Sequence, residues 1–186
     1  MRRLKTMTNN CEFNIDKIII QSDQIEKRVA ELAFEINNYY MDKKQFIIIS
    51  VLKGSFIFLA DLVRKINLNT LIDFISVSSY GSNLVSSGNI TIKKDICMDI
   101  TGSNVLLVED IVDTGHTISR IKEYLIEKGS IDVKICSLLD KPSRRETDVV
   151  VDFCGFTVPD VFVVGYGLDA SENYRNLPYI ALVKQI

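Results

Sequence analysis

The sequence predicts an α/β fold built on a central, mainly parallel sheet, and three observations carry that prediction. Short continuous apolar runs recur at Gln45 to Leu52 (QFIIISVL), Val105 to Val108 (VLLV) and Val133 to Leu139 (VKICSLL), as suits strands buried on both faces. Between these runs lie segments whose apolar residues fall at helical spacing. Polar turns bearing glycine separate the two kinds, and strands that alternate with helices form a parallel sheet through crossovers. At 186 residues, with 47% hydrophobic and 25% charged, the chain is expected to be a single domain over residues 1–186.

In chain order, residues 1–13 read as a frayed end, and Lys17 to Ile20 as a short strand. A helix is expected from Asp23 to Ile36, because Ile25, Val29, Leu32 and Ile36 share one face. Asp23 and Glu26 would form its capping box, and Asn37-Asn38 would end it. After the strand ending at Leu52, Lys53-Gly54-Ser55 turns into a helix with Phe56, Leu59, Val63 and Ile66 on one face. Ile72 to Ser78 reads as a third strand. Ser79 to Lys94 (SYGSNLVSSGNITIKK) is polar, with an alternating Ile90/Ile92 segment behind its glycines and serines. That pattern predicts a long flexible hairpin of the kind that serves as a lid. The strand Val105 to Val108 follows, then a helix through Lys128 carrying Ile118, Ile121 and Leu125, stopped by Gly129. Val133 to Leu139, Val149 to Phe153, Val161 to Tyr166 and Tyr179 to Val183 complete the expected strands. Function should gather at the carboxyl ends of the strands.

Composition narrows the classes. A net charge of -2 and a pI near 5.5 argue against bulk nucleic-acid or membrane-surface binding. Cys11, Cys97, Cys136 and Cys154 are scattered without a CxxC and are expected to be reduced and mostly buried. The start, MRRLKTMTNN, is basic with no apolar core behind it, and no apolar stretch is long enough to span a membrane. A cytoplasmic protein is expected.

The stretch richest in chemistry is NVLLVEDIVDTGHTI, residues 104–118. A buried strand surfaces at Glu109 and Asp110, and Asp113-Thr114-Gly115-His116-Thr117 then leads into a helix. Turn amides, a helix start and threonine hydroxyls together cradle a phosphate. Carboxylates repel phosphate, so Glu109 and Asp110 must serve ribose hydroxyls or a hard cation on the same ligand. Leu52-Lys53-Gly54-Ser55 reads either as a second anion site or as an ordinary strand-to-helix turn. Lys141, after SLLD, reads by itself as a solvated turn residue, Arg144 and Arg145 as surface charges, and Phe162 as core. Asp169 alone would be a turn residue. His116 is the single histidine, and its place in the turn favours a backbone role over proton transfer. There is no Walker A lysine, no GxGxxG and no Ser/His/Asp triad pattern.

The segment VLLVEDIVDTGHT resembles the phosphoribosyl diphosphate-binding motif of type I phosphoribosyltransferases. LKGS, SSYG, LLDKP and VFVVGYGLD stand in the order seen in the hypoxanthine-guanine members of that family, bacterial hypoxanthine type, across nearly the whole chain. The resemblance implies the type I phosphoribosyltransferase fold, a mainly parallel sheet flanked by helices with a small hood and a flexible lid loop. It implies that Glu109 and Asp110 hold the ribose hydroxyls and a magnesium ion (Mg2+), and that Asp113, Thr114, Gly115, His116 and Thr117 wrap the 5′-phosphate. Lys53 and Gly54, across a Leu52–Lys53 peptide that is often cis in the family, would meet pyrophosphate together with Ser79, Tyr80 and Arg175. Lys141 would donate to the purine 6-oxo group, Phe162 would stack on the ring and the Val163 backbone would read its edge. Asp169, beside the purine site, would anchor a second magnesium through water. Asp113 would handle the proton at purine N7; adenine-using relatives carry a small apolar residue there, so a 6-oxopurine is implied. A homodimer or homotetramer is implied as well. A xanthine-preferring enzyme, and a regulator that senses phosphoribosyl diphosphate and contacts nucleic acid, stand as alternatives; the second lacks the basic face it would need.

Overall fold

The computed structural model describes residues 13–79 and 90–185. Tyr80, Cys11 and most of the expected lid lie outside the described residues. Strands run in the order β1 (Phe13–Ile20), β2 (Phe46–Leu52), β3 (Leu71–Ser79), β4 (Ile90–Lys94), β5 (Asn104–Val112), β6 (Asp132–Asp140), β7 (Phe153–Thr157), β8 (Val163–Val164) and β9 (Ile180–Gln185). Three helices join them: α1 (Ser22–Tyr40), α2 (Phe56–Val63) and α3 (His116–Glu127).

A six-stranded sheet has the order β4-β3-β2-β5-β6-β7, parallel throughout except for the β3–β4 hairpin. Its central strands serve two cores at once. Phe46 and Ile48 of β2, with Leu106 and Val108 of β5, face the core under α1 and α2. Ile47, Ile49 and Val51, with Val105 and Leu107, face the core under α3. This period-two division is why the sequence shows unbroken apolar runs there. Each such Ile or Leu withdrawn from water contributes about 1.5–3 kcal/mol.

The helices depart from expectation in detail. In α1 the Gln24 side chain accepts the Gln21 N–H at 2.9 Å, so the capping pair lies earlier than Asp23 and Glu26. The helix also runs through Asn37-Asn38. The Asn37 side chain donates to the Lys65 carbonyl and accepts the Asn67 N–H, so it does not compete for its own backbone. Beyond it, Tyr40 stacks on Phe46 with centroids 4.0 Å apart and donates its hydroxyl to the Val105 carbonyl. Helix α2 buries Phe58, Leu59 and Leu62, while Phe56 faces outward.

One strand expectation is corrected, and two others find their place outside the main sheet. The 149–153 run is irregular and β7 begins only at Phe153, because Asp152 uses its carboxylate to accept the Ile135 N–H and to pair with Lys134. Val149 and Val151 instead pack against the α3-side core. The expected strands at 161–166 and 179–183 do not join the central sheet. They form β8 and β9, which make a separate antiparallel sheet, β1-β9-β8; positive φ at Gly165 and Tyr166 ends β8 after two residues. That small sheet is the hood. At the far edge of the main sheet, Arg28 of α1 donates to the carbonyls of Cys154 and Gly155 in β7. Cys97 is exposed, against expectation; Cys136 is buried, and the described cysteines are all free. Among the described residues no helix is long and apolar enough to cross a membrane.

Asp73 of β3 locks the crossing between β4 and β5. Its carboxylate accepts the N–H groups of Phe74, Cys97 and Met98 and lies 3.4 Å from the Lys94 ammonium. Burial pushes its pKa up, but these donors outweigh burial and hold it below the usual carboxylate value. Its stabilisation is therefore complete above the unfolded-state value of about 4 and vanishes as pH falls through the depressed folded value. Asp73→Asn should lower unfolding free energy by about 1–3 kcal/mol at neutral pH. In paired thermal melts the gap between the two proteins should close as pH is taken below about 4.

Candidate active site

Strand order dictates where a site can form. From β2 the chain crosses by α2 to β3 on one side, and from β5 it crosses by α3 to β6 on the other. The crossovers diverge between β2 and β5, and the loops at their carboxyl ends leave a crevice. Leu52-Lys53-Gly54 and Glu109 to Asp113 are the segments that open into it.

Glu109 and Asp110 fall within the last turn of the β5 ladder. Glu109 is buried, and its Oε1 accepts the Asp110 N–H at 3.1 Å; Asp110 Oδ1 accepts the Ile111 N–H at 2.8 Å. Burial, then the neighbouring Asp110 charge, pushes the Glu109 carboxyl well above the usual range. Burial raises Asp110 too, while the Glu109 and Ile111 hydrogen bonds and the Arg175 charge pull it back. A buried and a half-buried carboxyl, both reluctant to ionise, form a set a hard cation would complete. Magnesium commonly takes one or two carboxylates and fills the rest of its shell with water and substrate oxygens. The residues fit that ion in this limited sense; among the described residues no group of three metal-ligating side chains occurs.

The β2 loop lies directly on this pair. A Cβ at Gly54 would overlap the Asp110 carboxylate, and one at Gly167 would overlap the Gly54 carbonyl. The Leu52–Lys53 peptide is cis. Behind it the buried hydroxyls of Ser50 and Ser55 meet at 2.6 Å, and Ser55 also donates to the Val51 carbonyl. These bonds tie the loop back onto its own strand.

On the other flank Asp113 to Thr117 form the turn into α3. Gly115 takes φ +91, and a side chain there would run into Thr147 and Val149. The turn is braced from outside: the Thr114 carbonyl accepts the Glu146 N–H at 2.9 Å, and His116 Nε2 lies 2.9 Å from the Glu146 carboxylate. The imidazole is thus engaged outward while the turn backbone stays in place.

Lys141 is buried rather than solvated. Its N–H donates to the Val112 carbonyl at 2.9 Å, and its ammonium lies 4.0 Å from Asp113 Oδ2. Arg144, expected as a surface charge, pairs Nε with Asp113 Oδ1 at 3.1 Å and Nη1 with Asp160 at 3.4 Å. Arg145 is largely buried and pairs with Asp140. Phe162 is 54% exposed, not core, with its ring 5.8 Å from that of Phe13. Val163, the next residue, is buried in β8.

The hood loop supplies the last group. Asp169 Oδ2 accepts the Glu172 N–H at 2.8 Å, and its Oδ1 pairs with Arg175 Nη2 at 2.9 Å. Arg175 Nη1 donates to the Gly167 carbonyl, and Nε is buried with no partner. Lys53 reaches across to Glu172 at 2.9 Å. The structure therefore brings Lys53, Gly54, Asp110, Asp169 and Arg175 to one side, and Asp113 to Thr117 with Lys141 to the other. Ser79 closes β3, and Tyr80 lies outside the described residues. Two participants escaped sequence reasoning. Arg144 is one of two arginines in a polar turn, and Glu172 sits in the polar run DASENYR; neither pattern distinguishes a site residue from a solvated one.

Comparison with known proteins agrees with this geometry. The model of the phosphoribosyl transferase domain matches residues 17–171. A hypoxanthine-guanine phosphoribosyltransferase of Bacillus subtilis is 46% identical over 173 residues, covering 93% of this chain and 96% of the relative. A hypoxanthine phosphoribosyltransferase of Salmonella typhimurium is 45% identical over 168 residues, 90% of this chain and 94% of the relative. The crystal structure of a hypoxanthine-guanine phosphoribosyltransferase from Bacillus anthracis superposes with a TM-score of 0.87 at 43% identity, covering 93% of this chain and 99% of that one. The chain belongs to the phosphoribosyltransferase family, with the type I fold of its hypoxanthine-guanine members.

Proposed function

We propose that this protein transfers the 5-phosphoribosyl group of phosphoribosyl diphosphate to N9 of hypoxanthine or guanine, giving nucleotide and pyrophosphate for purine salvage. The observation that carries the choice of base is the Lys141–Asp113 pair, a buried ammonium 4.0 Å from a carboxylate oxygen. A 6-oxopurine presents an acceptor at O6 and a donor at N7–H side by side on one edge. Lysine to O6 and aspartate to N7–H match that edge, whereas adenine would set an amino donor against the ammonium. The open ring of Phe162 offers a stacking face, and the backbone of Val163 beside it would read the base edge.

For the sugar, Glu109 and Asp110 hold the ribose hydroxyls, and Asp113 to Thr117 receive the 5′-phosphate at the start of α3. Lys53, Gly54 and Arg175 meet the pyrophosphoryl group, joined by Ser79 and Tyr80 at the head of the lid. Glu109 and Asp110 would hold one magnesium ion, and Asp169 a second through water. When bound, magnesium neutralises charge on the departing pyrophosphate. The C1′–O bond breaks as N9 attacks the opposite face, and Asp113 takes the N7 proton as N9 forms its bond. Fixed charge placed around the separating groups lowers the barrier. The setting for this reaction is the cytoplasm, and the assembly a homodimer or homotetramer.

With magnesium and phosphoribosyl diphosphate, nucleotide should form from hypoxanthine or guanine and not from adenine or uracil. Turnover with xanthine alone would move the specificity, and binding of phosphoribosyl diphosphate without turnover of any base would reject the reading. Chelation by EDTA should abolish product, with restoration on adding excess magnesium. Asp113→Asn should reduce kcat by about a hundredfold or more. Gly54→Ala should raise the KM for phosphoribosyl diphosphate far more than that for the base, because its methyl group displaces the Asp110 carboxylate.

A further inference from the structure

The assignment of Lys53 and Arg175 to the pyrophosphoryl group leaves one contact unexplained. In this structure both cations are already occupied by the same carboxylate. Glu172 Oε1 accepts from Lys53 Nζ at 2.9 Å, and Oε2 accepts from Arg175 Nη2 at 3.1 Å. Lys53 and Glu172 stand 119 positions apart in sequence, so the contact is made by the fold and not by chain neighbourhood. One oxygen on each of two cations is also how a phosphoryl group would bridge them.

The backbone presents Glu172 for this purpose. Its N–H is held by Asp169 Oδ2 at 2.8 Å, and its φ is +64, a conformation L-residues seldom adopt. Ser171 before it is also left-handed, at φ +49. The turn is bounded by the Ala170–Asn173 bridge. A flexible surface glutamate would need none of this. The buried Arg175 Nε meanwhile lacks any acceptor, so Glu172 leaves part of the guanidinium unsatisfied.

We infer that Glu172 is a tethered stand-in for pyrophosphate, occupying Lys53 and Arg175 in the free protein and being displaced when the pyrophosphoryl group of the substrate arrives. This rests on the pyrophosphate assignment made above. Its function is to set affinity. An internal carboxylate keeps two facing cations apart from adventitious anions and weakens the hold on pyrophosphate, whose tight retention would slow turnover. A doubly charged phosphoryl oxygen set outcompetes a single carboxylate and can also satisfy Arg175 Nε.

The test is the affinity of the full-length protein for magnesium pyrophosphate and for phosphoribosyl diphosphate, by calorimetry in the absence of base, compared with Glu172→Gln. The variant should bind both between about twofold and tenfold more tightly, the scale set by losing one exposed and one part-buried ion pair as competitors. The gap should shrink at high salt, where such pairs are screened. The KM for the purine should stay unchanged and pyrophosphate inhibition should strengthen. Equal or weaker binding by Glu172→Gln overturns the inference, since the carboxylate would then be ordering the two cations instead of competing for them. If neither protein binds pyrophosphate while purine and 5′-phosphate still bind, the assignment of Lys53 and Arg175 fails and takes this inference with it. Loss of all ligand binding and of nucleotide formation would instead strike the proposed function.

Discussion

The site depends on one close approach of backbones. Gly167 of the hood rests on Gly54 of the β2 loop, and Gly54 rests on the Asp110 carboxylate of β5. No side chain can intervene at either step. Because the three segments come from the small sheet and from two strands of the large one, this stack joins the hood to the main sheet at the crevice. It also explains why the cations of the hood and of the β2 loop can meet at all. Lys53 adjoins Gly54 in one layer of the stack, and Arg175 is bonded to Gly167 in the other.

Charge is distributed around that stack in a consistent order. The carboxylates closest to the sheet are Glu109, which is buried, and Asp110, which is half-buried, and both are pushed above the usual carboxylate range by desolvation. The cations around them are each paired with an acid: Lys53 with Glu172, Arg175 with Asp169 and Glu172, and Lys141 and Arg144 with Asp113. The most exposed pair among them, Lys53 with Glu172, is of a kind typically worth below about 1 kcal/mol. Such a pair is readily traded for contacts with a more highly charged ligand. Stability therefore comes from elsewhere, from the two cores and from locks such as Asp73, and the crevice can exchange partners without loosening the fold.

Much of this was legible in the sequence, for physical reasons that can be named. Strands buried on both faces are mostly apolar, so β2, β5 and β6 stood out as apolar runs. Strand β3 and helix α3 followed within one or two residues, while α1, α2 and the end of β5 differed by three or four. The turn at Asp113 to Thr117 stood out because phosphate sites need glycine and hydroxyls at a helix start. The strands at 161–166 and 179–183 were expected, but their place in the hood was not legible. Both β8 and β9 are as apolar as central strands, and only pairing, which lies outside local pattern, assigns them to another sheet. The strand expected at 149–153 failed because Asp152 made a side-chain bond that the pattern could not show. Lys141 and Phe162 were each given the wrong burial by their residue type. One is a lysine enclosed at the end of β6 and the other a phenylalanine left open beside the hood. Glu172 and Arg144 carried no signal, since an acid or a base in a polar loop looks the same whether or not it faces a partner.

The contact between α1 and the outermost strand has a consequence for neighbouring molecules. A parallel sheet ends in a strand whose outward carbonyls and amides would accept another strand. On β7 the carbonyls of Cys154 and Gly155 are taken by a single guanidinium, that of Arg28, held in turn by Glu31 and Glu35. An incoming chain would have to break that fork before it could add to the edge. One arginine on a helix thus guards the outermost strand of the sheet against a further pairing partner.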